Sequence, residues 1–410
     1  MTFKELNLID PLLKALQDKN YVEPTAIQQK AIPQILAKRD ILGSAQTGTG
    51  KTAAFALPII QLLHTDHSQE KGRVAIKSLI VTPTRELAIQ IHENLEFYGK
   101  YTRLRHAVIF GGVKQGSQVS ALNRGVDILV ATPGRLLDLI NQGYIKLDQV
   151  KLFVLDEADR MLDMGFINDI KKLLKLLPTK RQSLFFSATM PANIVELSDK
   201  ILTNPVRIEV SPVSSAAETL QQKVYFTNKS TKKDLLFHIL KDKNMDQVLL
   251  FSRTKHGADK ITKNLKGAGI QAAAIHGNKA QNHRQKVLSQ FKDGSIRVLV
   301  ATDIAARGID IDKLQYVLNY DIPEDPETYV HRIGRSGRAG ETGIAISLCE
   351  PEENTDLRAI ENLIRQKIEV ADNNPFPQTD KPMSAQEKKE HNKEKQRKKQ
   401  AFFANRKKSR

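Results

Sequence analysis

The sequence predicts an α/β protein: two tandem doubly wound parallel-sheet domains followed by a disordered basic C-terminal tail. Three observations carry this reading. The 410 residues suffice for two domains of ordinary size with some left over. Short apolar runs rich in β-branched residues alternate with helical patterns in two successive stretches, the rhythm of parallel sheets covered on both faces. From Asn373 onward the chain turns polar and basic. The expected boundaries are 1–208 for the first domain, 209–220 for a linker, 221–370 for the second domain and 371–410 for the tail.

Composition narrows the class. A hydrophobic content of 40% with 27% charged residues fits a soluble globular protein. The 63 Lys and Arg against 46 Asp and Glu leave a net charge of +17, which favours a polyanionic partner, either nucleic acid or an anionic membrane surface. Cys349 is the only cysteine, so an intrachain disulfide or a cysteine-rich zinc site is excluded. Residues 1–16 carry Lys4, Glu5 and Asp10 and lack a signal-peptide core. No apolar run approaches the ~20 residues of a membrane span. These features predict a cytoplasmic protein with no membrane partner.

In the first domain, Phe3 lies in a short amphipathic opening, and Pro24-Thr25 reads as a helix start with Thr25 as cap and Gln28 buried behind it. Ser44-Ala45-Gln46-Thr47-Gly48-Thr49-Gly50-Lys51-Thr52 then joins a short apolar strand to a helix. Glycines let such a turn wrap an anion, and the helix N-terminus adds positive charge. Lys51 can reach the β- and γ-phosphates of a nucleotide, and the Thr52 hydroxyl can ligate Mg²⁺. Ala45 stands where the usual pattern opens with Gly. Strands are expected at 79–82, 107–110, 128–131, 152–156 and 183–187, with helices such as 86–98 and 167–177 between them.

Ligands of such sheets bind at the carboxyl ends of the strands. Pro83-Thr84-Arg85-Glu86-Leu87, Gly111-Gly112 and Thr132-Pro133-Gly134-Arg135 fall at three of those ends. Each offers hydroxyls, N–H groups or Arg for phosphate oxygens, and each could equally be an ordinary helix cap. A fourth strand runs into Asp156-Glu157-Ala158-Asp159. Asp156 would hold Mg²⁺ partly through water, and Glu157 would orient and deprotonate the attacking water. Ser187-Ala188-Thr189 closes the next strand.

These residues resemble the DEAD-box ATP-dependent RNA helicases of superfamily 2. Asp156-Glu157-Ala158-Asp159 spells that family's signature, and the surrounding motifs follow in the family's order from Phe3 to about Leu348. The resemblance implies RecA-like domains, an RNA-dependent ATPase, and ATP and Mg²⁺ as cofactors. It implies that Gln28 reads the adenine edge with Phe3 stacked on the base. The loop residues Ala45, Gln46, Thr47, Gly48, Thr49, Gly50, Lys51 and Thr52 would hold the phosphates. Pro83, Thr84, Arg85, Gly112 and Thr132 to Arg135 would grip RNA.

The second domain repeats the alternation, with strands expected at 248–251, 272–275, 298–301, 316–319 and 344–348, but has no second Gly-Lys-Ser/Thr loop. The stretch 209–230 loses the strand–helix rhythm, and 211–217 reads as linker. His331-Arg332-Ile333-Gly334-Arg335-Ser336-Gly337-Arg338 places three Arg within seven residues, a pattern suited to an anion, or else a solvated basic turn. By resemblance, Arg335 and Arg338 approach the γ-phosphate and Asp310 contacts the ribose. By the same resemblance Arg253, Gly277, Thr302 and Asp303 hold RNA backbone, and Ser187, Thr189, His331 and Arg332 couple the nucleotide site to RNA. Residues 352–368 read as a closing helix.

The segment 378–410 holds twelve Lys and Arg against four Asp and Glu. It can bind RNA electrostatically, keep the chain soluble or, in a eukaryote, act as an import signal. A tail of this kind also resembles the bacterial RhlE-like subgroup. RNA is the expected partner, gripped through its backbone with little sequence preference, and ribosomal or RNA-decay proteins are further candidates. A DNA helicase on the same plan and a non-hydrolysing RNA-binding scaffold are the rival readings.

Overall fold

The computed structural model describes residues 1–45, 49–67, 75–210, 220–306, 314–336, 343–382 and 387. The chain divides into two compact units, the first opening at Met1 and the second at Ala216.

The first unit is built on seven parallel strands: β1 (Ile41–Ala45), β2 (Ser78–Val81), β3 (His106–Ile109), β4 (Ile128–Ala131), β5 (Leu152–Leu155), β6 (Gln182–Ser187) and β7 (Val206–Val210). Their order is β3-β4-β2-β5-β6-β1-β7. Successive residues of the central strands enter opposite cores, because side chains alternate across a strand. Ile80, Val130, Val154 and Phe186 join the core that also takes Phe55, Ile91 and Leu95. Leu79, Leu129, Phe153 and Phe185 join the core on the other face, with Leu136, Ile170 and Ile194. A sheet buried on both faces explains why these strands read as continuous apolar runs.

The second unit repeats the plan with β8 (Leu220–Phe226), β9 (Val248–Phe251), β10 (Ala272–Ile275), β11 (Val298–Ala301), β12 (Tyr316–Asn319), β13 (Gly343–Cys349) and β14 (Glu369–Val370). Its order is β10-β11-β9-β12-β13-β8-β14, the first order with every strand number raised by seven. β8 therefore occupies the place of β1.

The structure corrects the expectations at several places. β7 and β8 are strands at either end of the stretch taken as linker. β8 pairs with β13 from Leu220 to Phe226. Its Gln221, Gln222 and Lys223 hide it from a hydrophobicity reading. The helix expected over 167–177 is Ile167–Leu174. The closing helix of 352–368 is a 3₁₀ turn, Pro351–Glu353, followed by Asn354–Ile364. It stops where Arg365 turns left-handed at φ 54°, and β14 follows. The expected tail starts too early. Gln378 N donates to Phe226 O at 3.0 Å, Thr379 N and Asp380 N both donate to Asn228 Oδ1 at 2.9 Å, and Phe376 packs on the second unit's core around Leu235, Val248 and Leu250. Residues 371–380 are thus tied to the second unit, while 383–386 and 388–410 lie outside the described residues. Among the described residues no helix is long and apolar enough to cross a membrane.

Candidate functional site

The candidate residues of the first unit gather at the carboxyl ends of its strands. Ala45 ends β1 and Lys51 opens the helix Lys51–His67, with Thr52 half-buried in its first turn. Gln46, Thr47 and Gly48 lie outside the described residues. Lys51 is buried, and its Nζ donates to Ala45 O at 2.8 Å, folding the ammonium back over the loop. Gly50 has φ +90°, and a Cβ there would lie 2.4 Å from Gln28 Nε2, so both the conformation and the space demand glycine. Gln28 joins cap to loop: its Oε1 accepts from Thr25 N at 3.0 Å and its Nε2 donates to Gly50 O at 3.1 Å. Phe3 packs into the first core and is 5% exposed, which leaves little of its ring for stacking.

Asp156 follows β5, and its N still donates to Val81 O, extending the ladder by one bond. Burial pushes its carboxyl up to about 7, against the pull of the Lys51 ammonium. Its Oδ1 is buried with no hydrogen-bond partner among the described residues. Glu157 sits left-handed at φ 57°, ψ 51°, a conformation that costs a non-glycine residue ~1–2 kcal/mol. Arg160, one helical turn on, pairs with it at 2.7 Å.

Asp159 reaches to the end of β6. Its Oδ2 accepts from Ala188 N at 3.0 Å, Thr189 N at 2.9 Å and Thr189 Oγ1 at 3.2 Å. Its own N donates to Ser187 Oγ at 3.2 Å, and Ser187 Oγ donates to Thr189 O at 2.8 Å. A displacement of Asp159 therefore moves the Ser187–Thr189 turn.

Three further motifs meet beyond β2, β3 and β4. Thr84 caps the helix Arg85–Tyr98, accepting from Leu87 N at 3.3 Å. The Arg85 guanidinium lies over Gly112, where φ is +79° and a Cβ would sit 2.2 Å from Nη1. Thr132 precedes the helix Pro133–Asn141, and Arg135 Nη2 donates to Val113 O at 3.1 Å. Pro83 stands buried between β2 and its helix, and Gly134 has open space around it. Arg85 and Arg135 thus bracket the Gly111–Val113 turn, a basic edge furnished with backbone N–H groups.

The second unit places its candidates at the equivalent ends but engages several of them internally. Arg253 Nη2 donates to Ile322 O at 2.9 Å and Glu353 Oε1 at 2.8 Å. Both carboxylate oxygens of Asp303 accept from Arg332, at 2.5 and 2.8 Å, so this carboxylate positions Arg332. Arg332 also donates to Asn319 Oδ1 and Asp321 O, and its guanidinium lies 5.0 Å from the Phe251 ring centre. Thr302 N donates to Ile275 O at 3.4 Å, and the space around Gly277 is open. Arg335 is buried and His331 half-buried. Asp310 and Arg338 lie outside the described residues.

Sequence reasoning missed two clusters. Arg160 was readable from its position three residues after Glu157, the spacing by which the third residue of a helix reaches back to the cap. Lys232 opens the helix after β8, as Lys51 opens the helix after β1. It meets no loop of glycines there. Its Nζ is sealed by Glu350 at 3.0 Å, Glu353 at 3.1 Å and Asp321 at 3.7 Å. Three carboxylates already engage this ammonium, so Lys232 is not available to an anionic ligand as Lys51 is.

Fold and site together define the class: tandem RecA-like domains, the first of which pairs a Lys-Thr helix start after β1 with buried acids at the end of β5, one strand beyond β6. The chain belongs to the DEAD-box helicase family. Residues 25–197 match the DEAD/DEAH box helicase family, and residues 231–340 match the helicase conserved C-terminal domain. It is 42% identical over 369 residues to the DEAD-box ATP-dependent RNA helicase CshA of Bacillus subtilis, covering 90% of this chain and 74% of that protein. It is 43% identical over 368 residues to the ATP-dependent RNA helicase CshA of Limosilactobacillus reuteri, covering 90% of this chain and 73% of the relative. Those relatives carry the CshA name and lend no support to the finer RhlE-like assignment. Among solved structures, S. cerevisiae Dbp5 bound to RNA and ADP–BeF3 is similar with a TM-score of 0.80 at 31% identity, covering 90% of this chain and 95% of Dbp5.

Proposed function

We propose that this protein is an RNA-dependent ATPase that separates short RNA duplexes or strips proteins from RNA, through ATP-driven closure of two lobes on one RNA strand. The observation that carries the reading is the buried grouping of Lys51, Asp156 and Glu157, linked through Asp159 to the Ser187–Thr189 turn. In this reading Lys51 leaves the Ala45 carbonyl for the β- and γ-phosphates. Thr52 and Asp156 would hold Mg²⁺, which neutralises phosphate charge when bound. The orphaned Asp156 Oδ1 and the raised pKa of that carboxyl fit such a group, since a buried carboxylate oxygen with no hydrogen-bond partner is what a cation satisfies. Glu157 orients and deprotonates the attacking water, and Gln28 reads adenine. Arg335 and Arg338 stabilise charge that develops on the transferring phosphoryl group.

RNA would lie on the edge made by Arg85, Gly112 and Thr132–Arg135, with Arg253, Gly277 and Thr302 contributing from the second lobe. Asp159, Ser187, Thr189, His331 and Arg332 would couple hydrolysis to that grip. We infer a cytoplasmic protein, with ribosomal or RNA-decay proteins as candidate partners. The experiment is steady-state ATP turnover with RNA and with DNA of one sequence, alongside displacement of a short RNA duplex. Stimulation by RNA alone is expected. Equal stimulation by DNA would move the assignment to a DNA helicase, and turnover at background with either would leave a binding scaffold.

A further inference from the structure

A second cluster of ligating side chains lies in the first unit, away from the strand ends that hold the nucleotide candidates. His92 and Glu96 stand four residues apart on the helix Arg85–Tyr98, which places them on one face. His106 opens β3, the strand against which that helix packs. One nitrogen or oxygen from each of the three lies within 4.8 Å of the others. We propose that His92, Glu96 and His106 form a binding site for a divalent transition-metal ion of the zinc class.

The separation of the two imidazoles is the main argument. His92 Nε2 and His106 Nδ1 are 3.3 Å apart, with the rings meeting edge to face. Two nitrogens on a tetrahedral zinc, each at 2.0–2.1 Å, stand about 3.3–3.4 Å apart. The two nitrogens, joined in this structure by a hydrogen bond whose proton a metal would replace, are thus already spaced as an edge of that tetrahedron. Glu96 is exposed, so its carboxylate can rotate the remaining distance with little to displace. Imidazole nitrogen favours Zn²⁺, Co²⁺ or Ni²⁺ over Mg²⁺, so the site is chemically distinct from the Asp156 pocket. Burial, with His92 adding to it, holds the His106 ring below its ordinary pKa, against Glu96 and Asp127, and a neutral ring is the form that ligates. Three protein ligands leave a fourth position for water.

The site's place in the fold gives it a consequence. The helix begins with Arg85, and β3 leads into Gly111-Gly112, so the metal would pin together the far ends of two elements whose near ends form the basic edge. Occupancy should stiffen that edge and raise the melting temperature of the chain through linkage.

The test is a Zn²⁺ titration of the full chain without nucleotide and with excess Mg²⁺, read against a competing chromogenic chelator. Visible absorption of the Co²⁺ form reports the geometry. One Zn²⁺ per chain is expected at micromolar affinity or tighter, with the band intensities of a tetrahedral Co²⁺ site. Glu96→Gln should weaken binding by about tenfold or more, since even outer partners of a metal are worth 10–100-fold. His92→Asn with His106→Asn should abolish binding and the Zn²⁺-dependent rise in melting temperature. No uptake at tens of micromolar Zn²⁺ would overturn the proposal. So would unchanged affinity in Glu96→Gln, whose exposed position makes a folding defect an unavailing excuse, or in the double variant.

Discussion

Arg160 donates from one Nη to both carboxylate oxygens of Glu157, each at 2.7 Å, with neither side chain more than 3% exposed. The pair fixes the carboxylate that we assign to the attacking water. Removing one partner of a buried pair leaves the other charge uncompensated, typically at about 3–5 kcal/mol. Arg160→Met should therefore lower the urea midpoint and, at temperatures where it remains folded, reduce turnover. An unchanged midpoint would show that Glu157 is held by something else.

Glu157→Gln should keep ATP and RNA binding while hydrolysis slows by ~10²–10⁴-fold, the usual worth of a general base. The amide preserves shape and can still accept from Arg160, so binding should survive even as the ion pair is lost. Single-turnover hydrolysis beside nucleotide affinity separates the two effects. Hydrolysis at the parent rate would remove the role given to Glu157.

Much of this site was legible because strand ends announce themselves. An apolar run stopping at a hydroxyl, glycine or acid needs no tertiary information, and β4, β9, β10, β11 and β12 begin and end where the sequence places them. β8 was not legible. Its alternation of Leu220, Gln222, Val224 inward with Gln221 outward includes a glutamine whose burial depends on Tyr329 Oη donating to its Oε1, at 2.8 Å and 107 residues away. Without β8, Lys232 looks like one lysine in a charged helix and its likeness to Lys51 is invisible. The same holds for residues 374–380, whose partners Phe226 and Asn228 lie about 150 positions earlier.

Lys232→Met tests that second cluster. The ammonium offsets Glu350, Glu353 and Asp321, and burial raises the Glu353 carboxyl above its usual range even against Lys232. An acid raised in the folded state binds more protons there than when unfolded, so its burial is tolerated at low pH and penalised as pH rises. Without Lys232 that penalty grows. The variant should lose about 3–5 kcal/mol near neutral pH and noticeably less when Glu353 is protonated. Denaturation at several pH values checks this, and a deficit independent of pH would contradict it.

Gln28 has two bonds that can be removed separately. Gln28→Glu keeps an acceptor for Thr25 N, the acidic form of a capping box, but loses the donor to Gly50 O and to adenine. Gln28→Ala loses both. Both should raise the KM for ATP and narrow the preference over GTP, because an amide can match the N6 donor and N7 acceptor of adenine together. Gln28→Ala should lose about 1 kcal/mol of helix stability with the cap, and Gln28→Glu should lose stability for a different reason, the new carboxylate oxygen facing Gly50 O. Equal use of ATP and GTP by the unaltered chain would end the adenine assignment.

The basic tail is best cut at 383, beyond the bonds that tie Gln378, Thr379 and Asp380 to Phe226 and Asn228. Residues 383–410 carry eleven Lys and Arg against three Asp and Glu, and every residue assigned to ATP precedes them. Cations that neutralise RNA phosphates release counterions, with a slope of ~0.7 per phosphate in log affinity against log salt on single strands. Removing 383–410 should weaken RNA binding at low salt and flatten that slope. Turnover at saturating RNA should stay close to the parent's. Duplex separation at low RNA concentration should fall, because a tethered second contact raises effective concentration. A cut at 371 should behave differently. It also removes Phe376 from the second unit's core and the bonds to Asn228, so it should lower the melting temperature as well. A salt titration, turnover and melting of both truncations separate the roles. An unchanged slope after the cut at 383 would leave those cations a solubilising segment, and a collapse of turnover at saturating RNA would place them within the catalytic machinery.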